Sequence, residues 1–340
     1  MRAGQPLSKQ GSALLLALVT IVVLSSLLMS FLFRMQLEEE VAAFTRFSFK
    51  ARELARGGQD VGKWMLIRAS KAVQEDNDSL GEELDLAFEH LNAGLPLIGI
   101  TAPGVEEGAC LISIRPESSW RNVNLLADAD WEQLLEESDV PQELHAGLVD
   151  HFRDWTDADD QNRLLGAEND DVYYEDKGIT VKNGPLTTLS ELGLIKGFTP
   201  AILYGGSLED FYNRPEDIVS GIMSRLTVHG EGRINLSSAP ADVLMTIPGI
   251  REDQVEELLE ARFGPDGIPN TEDDGLVNVA QALSAAGIAS AGEGAFTTSD
   301  FSWVRIQSIG LVGDVRQGVE AVYEFDGRNF SLHSYVEFTP

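Results

Sequence analysis

Cysteine is nearly absent: Cys110 is the only one in 340 residues, so no intrachain disulfide can form and no cysteine-based zinc site can be built. Bases are scarce as well. Lys and Arg number 25 against 55 Asp and Glu, a net charge of -30, and a field of that sign repels phosphate backbones and draws cations. Nucleic acid is therefore not an expected partner, whereas a divalent metal is. The sequence also lacks a P-loop, a dinucleotide fingerprint and a nucleophilic Ser motif. Its five histidines (His90, His145, His151, His229 and His333) are dispersed, and even the close pair His145 and His151 does not share one helical face. No enzyme activity is expected. With 43% hydrophobic and 24% charged residues, the composition is that of a folded protein. The length suits an anchor plus two packed units.

The one long hydrophobic run lies near the N-terminus. Ser12 to Phe33 is uncharged over 22 residues, and at about 1.5 Å per helical residue it reaches roughly 30 Å, the depth of a hydrocarbon core. A cleaved secretory signal would have a shorter apolar region and a small-residue cleavage site, but this run ends in Phe31-Leu32-Phe33-Arg34. Arg2 and Lys9 precede it, and Glu38, Glu39 and Glu40 follow, so the positive-inside rule keeps the N-terminus cytoplasmic. The rest of the chain then lies on the far side of that membrane. Apolar residues continue at helical intervals through Val41, Phe44, Trp64 and Ile67, which predicts one helix over 12–70, disturbed at Gly57-Gly58.

Beyond the helix, strand patterns occur at Ala109 to Arg115 and again at Trp303 to Ile306, Gln317 to Phe325 and Ser331 to Phe338. Between them the periodicity is that of short amphipathic helices. The expected class is α+β: a sheet domain from 71–120 and 296–340, interrupted by a helical insertion over 121–295. Within the insertion Arg121-Asn122-Val123-Asn124-Leu125-Leu126-Ala127 resembles Arg233-Ile234-Asn235-Leu236-Ser237-Ser238-Ala239. The pattern suggests two related lobes, and chance similarity competes with it.

Three motifs stand out in the insertion. The segment 234–262 reads as a helix-hairpin-helix turning at Gly249, but Asp242, Glu252, Asp253, Glu256, Glu257 and Glu260 surround it against Arg251 and Arg262, so its use is structural. An acidic loop gathers Asp154, Asp157, Asp159, Asp160, Glu168, Asp170 and Asp171 around Gly166. Six to eight oxygens on a bent loop suit Ca2+, and Asp157, Asp159, Asp160, Glu168 and Asp171 are the expected ligands. Trp155 in its midst argues for packing rather than a free acidic tail. A second oxygen-rich loop, with Asp266, Asn270, Asp273 and Asp274, is equally a metal loop or an acidic turn.

The boundary Lys9-Gln10-Gly11 against Ser12-Ala13-Leu14 resembles the leader of type IV pilins and type II secretion pseudopilins, which prepilin peptidase cuts after the glycine. Residues 1–11 would be the leader, with Gly11 its last residue and Ser12 the mature N-terminus. Those families usually carry Glu at mature position five, where this chain has Leu16. That departure, with DWTDADD before GAE, GPLTTLSELGLIKGFTPAIL and GRINLSSAPADVLMTIPGI in order, resembles the general secretion pathway protein K family of minor pseudopilins. The resemblance implies a pilin-like fold with a long N-terminal transmembrane helix (12–33 in the membrane), a small antiparallel sheet and a large α-helical insertion holding Ca2+. It also implies minor pseudopilins I and J, the major pseudopilin, prepilin peptidase and the inner membrane as partners, and a place at the pseudopilus tip. A type IV minor pilin is the near alternative, and an anchored DNA-uptake receptor the distant one.

Overall fold

Leu and Ala are frequent in the first helix, which runs through the β-branched stretch Val19 to Val23 without interruption. In the computed structural model, which describes residues 9–72, 82–103, 108–268, 271, 273–276, 278–288 and 293–340, helix α1 spans Lys9–Ala72. Every side chain from 13 to 33 is exposed, and this is the one helix among the described residues long and apolar enough to cross a membrane. The expected disturbance at Gly57-Gly58 does not occur. A Cβ at Gly58 would stand 2.4 Å from the Cys110 sulfur and 2.8 Å from the Ser308 Cβ, so the glycine serves close packing against the sheet rather than a bend.

That sheet has five antiparallel strands: β1 (Leu97–Pro103), β2 (Ala109–Pro116), β3 (Trp303–Val312), β4 (Val315–Phe325) and β5 (Phe330–Phe338), in that spatial order. Alternate residues of β2 and β3 point inward, and Ile112, Ile114, Val304 and Ile306 form a core with Met65, Leu66 and Ala69 of α1. Helix α2 (Glu82–Asn92) closes the same core with Phe88 and Leu91. Gln59, buried beneath the sheet, donates to the carbonyls of Ile306 at 3.0 Å and Val319 at 3.1 Å. This fixes α1 on two strands at once, because a buried amide is costly unless satisfied.

Between β2 and β3 the chain builds two further cores. The first gathers Val123, Trp131, Phe152, Trp155, Tyr174 and Leu226 around helices α3 (Asp128–Glu136), α4 (Gln142–Thr156) and α5 (Val172–Lys177). The second gathers Ile234, Leu244, Leu258 and Phe296. Each copy of the sequence repeat opens its lobe with a two-residue parallel bridge: Arg121–Asn122 on Leu226–Thr227, and Ile234–Asn235 on Phe296–Thr297. In both copies the asparagine side chain accepts the amide two residues on, from Asn124 at 3.1 Å and from Ser237 at 2.9 Å. The insertion is not wholly helical: Gly206–Leu208 and Arg214–Val219 form an antiparallel pair. Phe296, expected on the sheet side of the boundary, belongs to the second lobe's core.

Candidate metal centre

The acidic loop of the first lobe forms because α4 ends there. Asp157 caps its C-terminus with an extended backbone, its amide bonded to the Arg153 carbonyl at 2.8 Å, and the chain returns past Gly166 to α5. Asp154 is fully buried on the last turn of α4, and its carboxylate accepts the Arg163 amide at 3.2 Å. A Cβ at Gly166 would fall 1.8 Å from that carboxylate, so only glycine lets the loop close over it.

Glu168 is the central observation. Its side chain is 1% exposed, yet neither carboxylate oxygen has a hydrogen-bond partner, and Asp157 Oδ1 and Asn183 Oδ1 are likewise buried and unpartnered. Burial, followed by the charges of Asp154, Asp157, Asp160 and Asp159, pushes the Glu168 carboxyl up to about 7. Burial also raises Asp154, with Asp157 and Asp150 adding to it. Four oxygens without donors amid like charges are the surroundings that a hard divalent cation relieves. Among the described residues no three His, Cys, Asp or Glu side chains form a finished cage. The donor set nevertheless fits Ca2+, whose shell also draws on backbone and amide oxygens.

The residues expected to bind metal divide here. Asp157 and Glu168 present bare oxygens. Asp160 accepts from Asn183 Nδ2 at 3.0 Å and Asp159 from the Gln161 amide at 2.9 Å, each through one oxygen. Asp171 stands apart: it caps α5 by accepting the Tyr173 amide at 2.8 Å and pairs with Lys196 at 2.7 Å. Burial pushes its carboxyl up, but Lys196 and the capped amide hold it below its ordinary range. Asp154 and Asn183 join the group instead. Asp154 was within sight in the same acidic run, while Asn183 lies 23 residues from Asp160, with no local signal to tie them.

In the second loop, Asp273 accepts from Thr271 Oγ1 at 2.8 Å and Asp266 from the Ile268 amide at 2.8 Å. Asp274 Oδ2 accepts the Thr271 amide at 3.2 Å. Asn270 lies outside the described residues. These contacts are those of a self-capped acidic turn. Gly11 and Ser12 fall in the first turns of α1. At the hairpin, Gly249 has φ 83°, and Arg251 is engaged by Asp253 at 2.8 Å.

Comparison with known proteins places these features. Residues 115–204 match the family model described as Type II secretion system (T2SS), protein K. No curated protein matches the chain by sequence. Among solved structures, a chain of the GspK-GspI-GspJ complex from the enterotoxigenic Escherichia coli type 2 secretion system is similar, with TM-score 0.56 and 15% identity. The match covers 90% of this chain and 100% of that one. The resemblance to protein K and the α+β pilin-like fold are both borne out.

Proposed function

We propose that this protein K-like chain, a minor pseudopilin of type II secretion, caps the tip of the pseudopilus, where it starts assembly with minor pseudopilins I and J and so supports protein export. The observation that carries the reading is where the lobes join the sheet. Gly310 packs on Ala51, Gly58 on Cys110 and Ser308, and Gly62 on Ile306 and Ile112, so β2 runs away from the membrane segment and β3 returns toward it. Both ends of the insertion, at Pro116 and Trp303, therefore stand beside the C-terminal end of α1. At about 1.5 Å per residue this is roughly 50 Å beyond Phe33. Bulk at that end obstructs a subunit stacking above.

In this reading the apolar helix anchors the chain in the inner membrane with its N-terminus cytoplasmic and its sheet and lobes periplasmic. Prepilin peptidase cleaves between Gly11 and Ser12. Ca2+ is held by Asp157, Asp159, Asp160 and Glu168 with Asp154 and Asn183, where it neutralises buried carboxylates and ties the end of α4 to the loop before α5. The test is immunogold labelling of the chain on overproduced pseudopili, combined with sequencing of its mature N-terminus. Gold at a single end and a mature chain starting at Ser12 are expected, whereas label along the shaft would sink the tip assignment.

A further inference from the structure

A cavity of about 310 Å³ lies where the second lobe meets the sheet domain, lined among others by Arg115 and Ile98 on the sheet side and Ser237, Ser238 and Arg262 on the lobe side. Its cations are unusual for this chain. Other shielded arginines meet a carboxylate: Arg121 pairs with Asp130, Arg305 with Glu117 and Arg153 with Asp128. Arg115 is half-buried, and its guanidinium has no hydrogen bond or ion pair among the described residues. The nearby charge acting on it is the like charge of Arg305, which adds to burial in lowering its pKa.

Arg262 is buried. One terminal nitrogen donates to the carbonyls of Leu236 and Ala239, at 2.9 Å for the latter, while its Nε has no acceptor. Burial alone lowers this guanidinium to about 10, with no carboxylate to offset it. Ser237 is fully buried, and its hydroxyl also lacks a partner. Ser238 accepts from Ser119 at 2.7 Å, which leaves its own proton to donate. Asp274 supplies a carboxylate to the lining, and its Oδ2 is engaged by the Thr271 amide.

Desolvated guanidinium donors beside a bare hydroxyl form a receptor for planar or tetrahedral oxyanions. We propose that this cleft binds a small oxyanion, a carboxylate or a phosphate, between Arg115 on the sheet wall and Arg262 and Ser237 on the lobe wall. Such a ligand joins the lobe to the sheet domain, beside the contacts of the His90 ring with the Thr271 carbonyl at 2.9 Å and of the Asn235 amide with the Gly94 carbonyl at 3.3 Å. Recognition is local, since the net charge of -30 repels anions at long range.

The full chain in maltoside, a detergent free of phosphate, tests this at constant ionic strength. Inorganic phosphate and acetate are titrated separately against chloride, with thermal melting and, for phosphate, ³¹P line broadening as readouts. A saturable rise of several degrees with one or both anions is expected. Arg115→Gln should abolish the rise while melting as the parent does in chloride, and Ser237→Ala should weaken binding severalfold. A response to phosphate alone assigns a tetrahedral ligand, and one to acetate alone a carboxylate. If neither anion exceeds chloride, or Arg115→Gln keeps the full response, the site is refuted.

Discussion

Glu168 shows how one residue reports on its surroundings. Its carboxyl titrates at about 7 in the folded chain against 4.5 ordinarily, so between those values the folded state holds a proton that the unfolded state has released. Stability therefore rises as pH falls from 8 toward 5, and the buried charge destabilises the fold above 7 by on the order of 3 kcal/mol. In chelator, the lobe should melt higher at pH 5.5 than at pH 8, and Glu168→Gln should flatten that profile and raise the melting temperature at pH 8. Ca2+ should reverse the order at pH 8 for the parent, adding about 2.7 kcal/mol at 100 times its dissociation constant, and help Glu168→Gln much less. A pH profile that is the same for parent and variant would remove Glu168 from the site. The acidity of this loop was legible in the sequence because the carboxylates are contiguous. Their division of labour was not: Asp171 looks like a ligand until Lys196, distant in sequence, is seen to claim it.

At the scale of elements, the contact of α1 with the sheet rests on how closely two backbones approach. A Cβ at Gly310 would stand 1.9 Å from the Ala51 carbonyl oxygen, and no side-chain rotation relieves a clash with backbone. Gly310→Ala is expected to cost about 1–3 kcal/mol, read as a lower denaturation midpoint, whereas Gly313→Ala, at a site with open space but φ 57°, should cost less. Equal losses would mean the helix can move off the sheet cheaply. The long helix and the strands β2 to β5 were readable because their periodicities of 3.6 and 2 persist over whole elements. Helix α2 and strand β1 were missed in the mixed stretch from Leu80 to Gly108, where Gly and Pro punctuation masks short elements. Gly57-Gly58 was read as a disturbance within one helix because local propensity cannot show the sheet that selects Gly58.

On the scale of the whole molecule, an apolar helix at one end and two lobes at the other define a subunit with a clear polarity. Leu16, position five counted from the proposed cleavage site, tests what that polarity is for. Leu16 is exposed on α1 within the segment that would lie in lipid, where an unpaired carboxylate costs roughly 2.5–3.5 kcal/mol on insertion scales. In a helical bundle that cost is offset only if a cation is at hand, and in a shaft subunit the terminal amine of the neighbour above can supply it. A capping subunit has no neighbour above. Leu16→Glu should therefore leave secretion unimproved and reduce membrane insertion or tip placement. Leu16→Ala, which adds no charge, should be nearly neutral once both variants accumulate equally. Secretion of an exported enzyme, scored beside the amount of each variant in the membrane, measures the contrast. Should Glu at this position promote assembly while Ala abolishes it, the chain has an amine donor above it and belongs in the shaft, whatever the bulk of its lobes.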